Sequence, residues 1–163
     1  MTMTRRPLRS GKGATIVEFA MVFPLLLLLI FGVMDFGFYF FVQHSLQFAT
    51  REGVRLALVG RTINDGSGSP MSREASIVQT IRSKAAVAVR PAEVLVYIYP
   101  VNTNFADPAT LDTTQNSAGL PGSDMRVRAR YTYRFITPLV GALVPGRAKL
   151  IEVQATYRNE LFN

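Results

Sequence analysis

Between Phe19 and Met34 the chain carries 16 residues without a charge. Asp35 interrupts, and the apolar run resumes from Phe36 to Val42, so that Phe19 to Val42 spans 24 residues. A membrane-crossing helix needs about 20. The stretch Leu25-Leu26-Leu27-Leu28-Leu29-Ile30 has no amphipathic period, as expected of a helix surrounded by lipid or by protein. A chain of 163 residues does not easily surround such a helix with a core of its own. A secretory signal has a shorter apolar region, about 7–15 residues, ending at a small-residue cleavage site. This run instead exits through Phe36, Phe38, Tyr39, Phe40 and Phe41, a cluster of the kind found at membrane interfaces. The run therefore reads as a membrane anchor.

Within it, Pro24 removes one backbone hydrogen bond, which predicts a loosened or kinked turn near Phe19 to Met21. Gly32 and Gly37 offer small surfaces for close helix packing. Two acids flank the span. Glu18 lies at its start, within reach of water or a partner. Asp35 is an interfacial acid if the span ends near Phe38, and a candidate intramembrane polar contact that needs a partner if it runs to Val42.

Charge supports the same organisation. Lys and Arg total 18 against 11 Asp and Glu, a net +7, but Arg5, Arg6, Arg9 and Lys12 all precede the anchor. Without these four the balance is 14 against 11, or +3. The basic pI thus belongs largely to a leader, and no nucleic-acid partner is expected. The leader biases the N-terminus toward the cytoplasm, although Arg51, Arg55 and Arg61 beyond the span weaken the bias. There is no cysteine and one histidine, which excludes disulfides, thiolate chemistry and a multi-histidine metal site within one copy.

The boundary reads Lys12-Gly13-Ala14-Thr15-Ile16-Val17-Glu18-Phe19. A basic leader, a Gly, four residues, a Glu and a long apolar helix resemble the processing site of type IV pilin precursors. Ala14 departs from the Phe or Met that many pilins carry there. With Val17 to Ala20, Pro24, Leu25 to Leu29 and Gly32, and with Ala49-Thr50-Arg51-Glu52-Gly53-Val54-Arg55 further on, the chain resembles the TadE-like minor pilins of the tight-adherence pilus. That resemblance implies a prepilin-peptidase cut between Gly13 and Ala14. It implies Glu18 as an assembly residue that meets a neighbouring subunit's N-terminal amine; the simpler alternative is an incidental acid at the membrane edge. It also implies a major pilin, sister minor pilins, a secretion platform with its ATPase, and a fibre that serves surface attachment.

Beyond the anchor an α+β domain is expected. The organisation read is a leader over 1–13, a transmembrane and assembly helix over 14–60, and an extracytoplasmic domain over 61–163. Leu46, Ala49, Gly53, Leu56 and Gly60 recur at helical spacing, with Gln47, Thr50, Arg51 and Arg55 on the other side. A second helix is predicted from a Ser69-Pro70 start to Arg90, where Pro91 ends it. Val94 to Tyr99 is apolar on both faces, which suggests a central strand. Met125 to Phe135 and Ala148 to Arg158 alternate with period two. Between these, Thr137 to Gly146 reads as a short apolar helix or loop started by Pro138. The long polar segment from Pro100 to Asp124 is expected to be mobile or a binding surface.

Few side chains suggest chemistry. Arg126, Arg128, Arg130 and Arg134 line the polar side of one strand, either as a solvated face or as a stripe for an acidic partner, anionic lipid or DNA. His44 stands alone, and Asp65, Asp107, Asp112 and Asp124 read as turn residues without calcium-loop spacing. No catalytic set and no cofactor or metal site is visible. The chain reads as a structural pilus subunit in the bacterial cytoplasmic membrane, rather than an enzyme. The alternative is an uncleaved single-pass protein whose outer domain binds a ligand.

Overall fold

The computed structural model describes residues 12–104, 106–111 and 116–161. The leader's Arg5, Arg6 and Arg9, and Asp112, lie outside the described residues. The fold is α+β. Helix α1 (Lys12–Leu58) is followed by α2 (Arg73–Ala85), strand β1 (Leu95–Pro100), strand β2 (Asp124–Arg134), a single-turn helix α3 (Pro138–Ala142) and strand β3 (Ala148–Arg158). The three strands form an antiparallel meander in the order β1-β2-β3. Both long helices pack on one face of it.

α1 is helical straight through Pro24. It stops where Gly60 takes a left-handed φ of 65°, with the Gly60 N–H donating to the Ala57 carbonyl and Arg61 N–H to that of Leu56. Only the second half of α1 belongs to the domain. Leu46, Ala49 and Gly53 are buried as the spacing predicted, Leu56 and Gly60 are only half-buried, and Val42 and Ala57 complete the buried stripe. Thr50 departs from its expected place on the polar side. It is fully buried, and its hydroxyl donates to the Leu46 carbonyl (2.8 Å), so the polar atom is satisfied inside the helix. From Gly13 to Met34 the side chains are exposed or at most half-buried.

α2 begins three residues later than the Ser69-Pro70 signal suggests. That dipeptide is engaged in a tight turn: Asp65 N–H donates to the Ser69 carbonyl (2.8 Å), Met71 N–H donates to that of Ile63 (2.9 Å), and the Asp65 carboxyl accepts from Ser67 and Ser69. Ser72 caps the helix instead, accepting from Ala75 N–H. α2 also ends early, at Ala85, because Ala88 and Val89 turn back to its carbonyl. β1 proves to be an edge strand rather than a central one. Its second face is covered only in part: Tyr99 is buried and its hydroxyl donates to Asp107 (2.8 Å), Tyr97 is half-buried, and Leu95 is exposed. The Asn116 side chain accepts from Ile98 N–H (2.8 Å) and donates to the Val96 carbonyl (3.2 Å), closing the open edge as another strand would.

α1 and α2 meet where Gly53 faces Ile81. A Cβ on Gly53 would lie 2.4 Å from Ile81 Cγ1, and Ile81 is fully buried. In a free helix Gly→Ala stabilises by about 0.5–1 kcal/mol; here overpacking reverses the sign. Gly53→Ala is expected to destabilise the full-length protein by about 1–3 kcal/mol in denaturant titration. In an Ile81→Ala background the same change should cost far less.

Candidate functional site: the anchor helix and its clasp

The elements converge on Asp35. Its side chain is 1% exposed although it sits on the apolar helix. The Ile136 N–H donates to Oδ1 (3.0 Å) and the Thr137 N–H to Oδ2 (3.1 Å), and the Thr137 hydroxyl also donates to Oδ2. The same hydroxyl oxygen accepts from Val140 N–H as the cap of α3. The Tyr133 hydroxyl donates to the Asp35 carbonyl (3.3 Å). Around this clasp Phe135 sits edge-on to Phe36 and stacks parallel to Tyr39. Asp35 is therefore turned into the protein rather than left exposed on the helix. Its partner is the chain's own β2–β3 connection, 101 residues further on.

The clasp divides α1. Ala14 to Met34 is 21 residues, about 31 Å at the helical rise, against a hydrocarbon core of about 30 Å. The helix is long and apolar enough to cross a membrane, with a mean hydropathy of 2.6 over a window none of which is buried. Gly13 and Ala14 lie exposed in its first turn, and Glu18 lies exposed one turn on. The span read as Phe19–Val42 thus overlaps the docked half: Val42 is 5% exposed and belongs to the core.

The arginine stripe is not the solvated face the alternation suggested. Arg126 and Arg128 are buried. Both form ion pairs with Asp107, which the long loop lays over the sheet's outer face. Arg128 also meets Glu152 (3.1 Å) and Gln154 (2.7 Å), Arg126 donates to Thr156 (3.1 Å), and Arg130 pairs with Glu152. Arg130 also lies 5.5 Å from the Tyr97 ring centroid, and Tyr97 and Tyr99 of β1 share this face with the arginines. Arg134 is exposed at the strand's end.

Asp107 is thus more than a turn residue. Burial raises its pKa, but hydrogen bonds from Tyr99, Arg126 and Arg128 outweigh this and hold the carboxyl below its ordinary value. The missed signals were an acid in a long loop and a strand apolar on both faces. A second missed cluster closes the far end of the domain. There Arg73 donates to the Gly119 carbonyl (3.0 Å), and Asn159 donates to those of Ala118 and Leu120 (2.9 Å each). His44 is exposed, Asp65 holds its turn as read, and Asp124 opens β2. Among the described residues no three His, Cys, Asp or Glu side chains gather as a metal site.

Geometry and composition together define a class: a small α+β domain clasped to the upper half of a long apolar helix whose lower half has the length and hydropathy of a membrane anchor. Residues 13–55 match the family described as TadE-like protein. The match covers the free half of α1 and most of its docked half, and ends before α2. No curated protein and no solved structure matches the chain.

Two outcomes follow. Asp35→Ala leaves two backbone donors without acceptors, which costs about 2–3 kcal/mol. Amide exchange at Ile136 and Thr137 should accelerate sharply, with less acceleration in Asp35→Asn and none around Asn159. For Asp107, a lowered carboxyl contributes stability that is complete above about pH 4, near its unfolded value. That contribution fades as the pH falls through the lowered folded value. Proteolysis of the 101–118 segment should therefore rise on acidification below pH 4, and in Asp107→Asn it should already be fast at neutral pH and respond less to acid.

Proposed function

We propose that this chain is a minor pilin-like subunit of a tight-adherence pilus, anchored in the cytoplasmic membrane with its N-terminus inside and its α+β domain outside. A prepilin peptidase removes residues 1–13, and the role that follows is structural rather than catalytic. The observation that carries this reading is the unpartnered apolar half of α1, which begins at the Gly13–Ala14 boundary and stands clear of the domain below Asp35. A helix apolar on every side needs lipid or other helices around it, and a pilus offers each in turn.

Cleavage at Gly13–Ala14 exposes a new α-amine that is charged around neutral pH. Glu18 lies one helical turn further. In an apolar bundle the carboxylate of one subunit and the amine of the next offset each other's desolvation cost, and only the matching stagger brings them together. Glu18 then sets register, while the Leu25–Leu29 surface supplies contact area. The partners are a prepilin peptidase, a major pilin, sister minor pilins, and the platform with its ATPase. The fibre that incorporates the subunit serves surface attachment.

The test is co-expression with the other pilus components. Glu18→Ala and Glu18→Gln should leave the protein folded, membrane-inserted and cleaved, yet reduce its recovery in sheared fibres at least tenfold. Undiminished recovery of both variants would contradict the assembly role of Glu18. A wild-type protein that never co-purifies with fibres would instead favour a membrane-anchored binding domain.

A further inference from the structure

The β2–β3 connection has a composition unlike the rest of the surface. Arg134 pairs with Ala148 as the last rung of the ladder, and residues 135–147 project beyond it. Asp35 holds the start of this projection against α1. β3 then climbs in the same direction as α1, reaching the far end where Glu160 N–H donates to the Leu58 carbonyl (3.1 Å). The projection therefore lies at the end of the domain nearest the free half of α1. With that half in a bilayer, Asp35 stands at the outer boundary and the projection lies at headgroup level.

Its side chains suit that level. Leu143 is 71% and Ile136 62% exposed, and Ile136 lines a groove with the exposed Phe38 and Phe41 of α1. Arg134, Arg147 and Lys149 are exposed among them. No acid occurs between Met125 and Ile151, and Glu152, the next one, is engaged by Arg128 and Arg130. Arg147 holds a left-handed backbone with φ 54°, unusual for a residue with a side chain. The flanking turn imposes it: Arg147 N–H donates to the Val144 carbonyl and the Arg147 carbonyl accepts from Phe135 N–H. Its stem lies against Gly141, where a Cβ would come within 3.4 Å of Arg147 Cγ. The stem is thus fixed while the guanidinium stays outside, and a strained conformation kept by its surroundings is a mark of use.

We propose that the β2–β3 connection is a membrane foot. Leu143 and Ile136 enter the boundary between headgroups and acyl chains of the outer leaflet, and Arg134, Arg147 and Lys149 bind the phosphates of anionic phospholipids there. Apolar tips ringed by basic side chains bind such surfaces through buried area and charge together. The foot fixes the tilt and rotation of the domain on its anchor, which a single helix leaves free. This inference rests on α1 being a membrane span.

The chain has no native cysteine, so single nitroxide labels can be placed at will. Full-length Phe23→Cys, Leu120→Cys and Leu143→Cys proteins are reconstituted in phosphatidylcholine vesicles with and without phosphatidylglycerol. Accessibility to oxygen and to a water-soluble nickel chelate is then read by electron paramagnetic resonance. With phosphatidylglycerol, the label at 23 should lie in hydrocarbon, the label at 120 in water, and the label at 143 at interfacial depth with nickel access several-fold below that at 120. Omitting phosphatidylglycerol, or adding Arg134→Gln with Lys149→Gln, should return the label at 143 toward water. A label at 143 as water-accessible as that at 120, with 23 in hydrocarbon, overturns the foot and leaves the span standing. A label at 23 in water overturns both. Equal depth at 143 in the two vesicle types overturns the phosphate contacts. A label at 143 shielded from both oxygen and nickel indicates a protein contact instead of lipid, and overturns the foot.

Discussion

The architecture depends on one carboxyl group accepting three hydrogen bonds. At the lower end of the domain the Asp35 carboxyl does most to fix the height at which the domain meets its helix, because the other contacts there are one Tyr133 hydroxyl bond and aromatic rings that tolerate sliding. The backbone donors of Ile136 and Thr137 have partners at one rung only. A displacement of one residue along α1 would rotate the acid by about 100° and strand those donors. The clasp therefore works as a register pin. Below it α1 is free to meet lipid or other subunits; above it α1 is a core element of the domain.

The outer face of the sheet follows a similar logic. Buried arginines are tolerable only where acceptors are supplied. Asp107 supplies them from a loop, and Glu152, Gln154 and Thr156 supply them from the neighbouring strand. The loop is thereby folded onto the sheet, Asn116 closes the edge of β1, and the charge that made β2 look like a binding stripe is largely spent inside the chain. Arg134, Arg147 and Lys149 remain exposed near this sheet's lower end, where the β2–β3 connection turns beside α1.

Much of this was legible from local pattern. The uncharged run located a helix long and apolar enough to cross a membrane, and strict alternation located β2 and β3 to within a residue of their ends. What alternation cannot tell is what covers a face, so it placed Arg126 and Arg128 on the right side of β2 and in the wrong environment. Likewise the carboxyl of Asp35 is satisfied by two backbone amides about a hundred residues away, and Ile136 and Thr137 carry no sign of that role in their side chains. The start of α2 was misplaced for a different reason. Ser69-Pro70 and Ser72 are both acceptable helix starts locally, and the choice was made by the turn from Ile63 to Met71, whose hydrogen bonds need residues 69 to 71 extended. The TadE-like likeness was readable because it is local, carried by the continuous stretch from residue 13 to 55.

The central claim is that the free half of α1 is the mature N-terminus of a pilus subunit, released by a peptidase rather than left behind its leader. The most direct measurement is the intact mass and N-terminal sequence of the protein produced with and without its cognate prepilin peptidase. The account predicts a chain beginning at Ala14 when the peptidase is present, and loss of that cleavage when Gly13 is substituted. A chain that keeps residues 1 to 13 beside an active peptidase would contradict it, and would leave a clasped domain on a permanent membrane anchor.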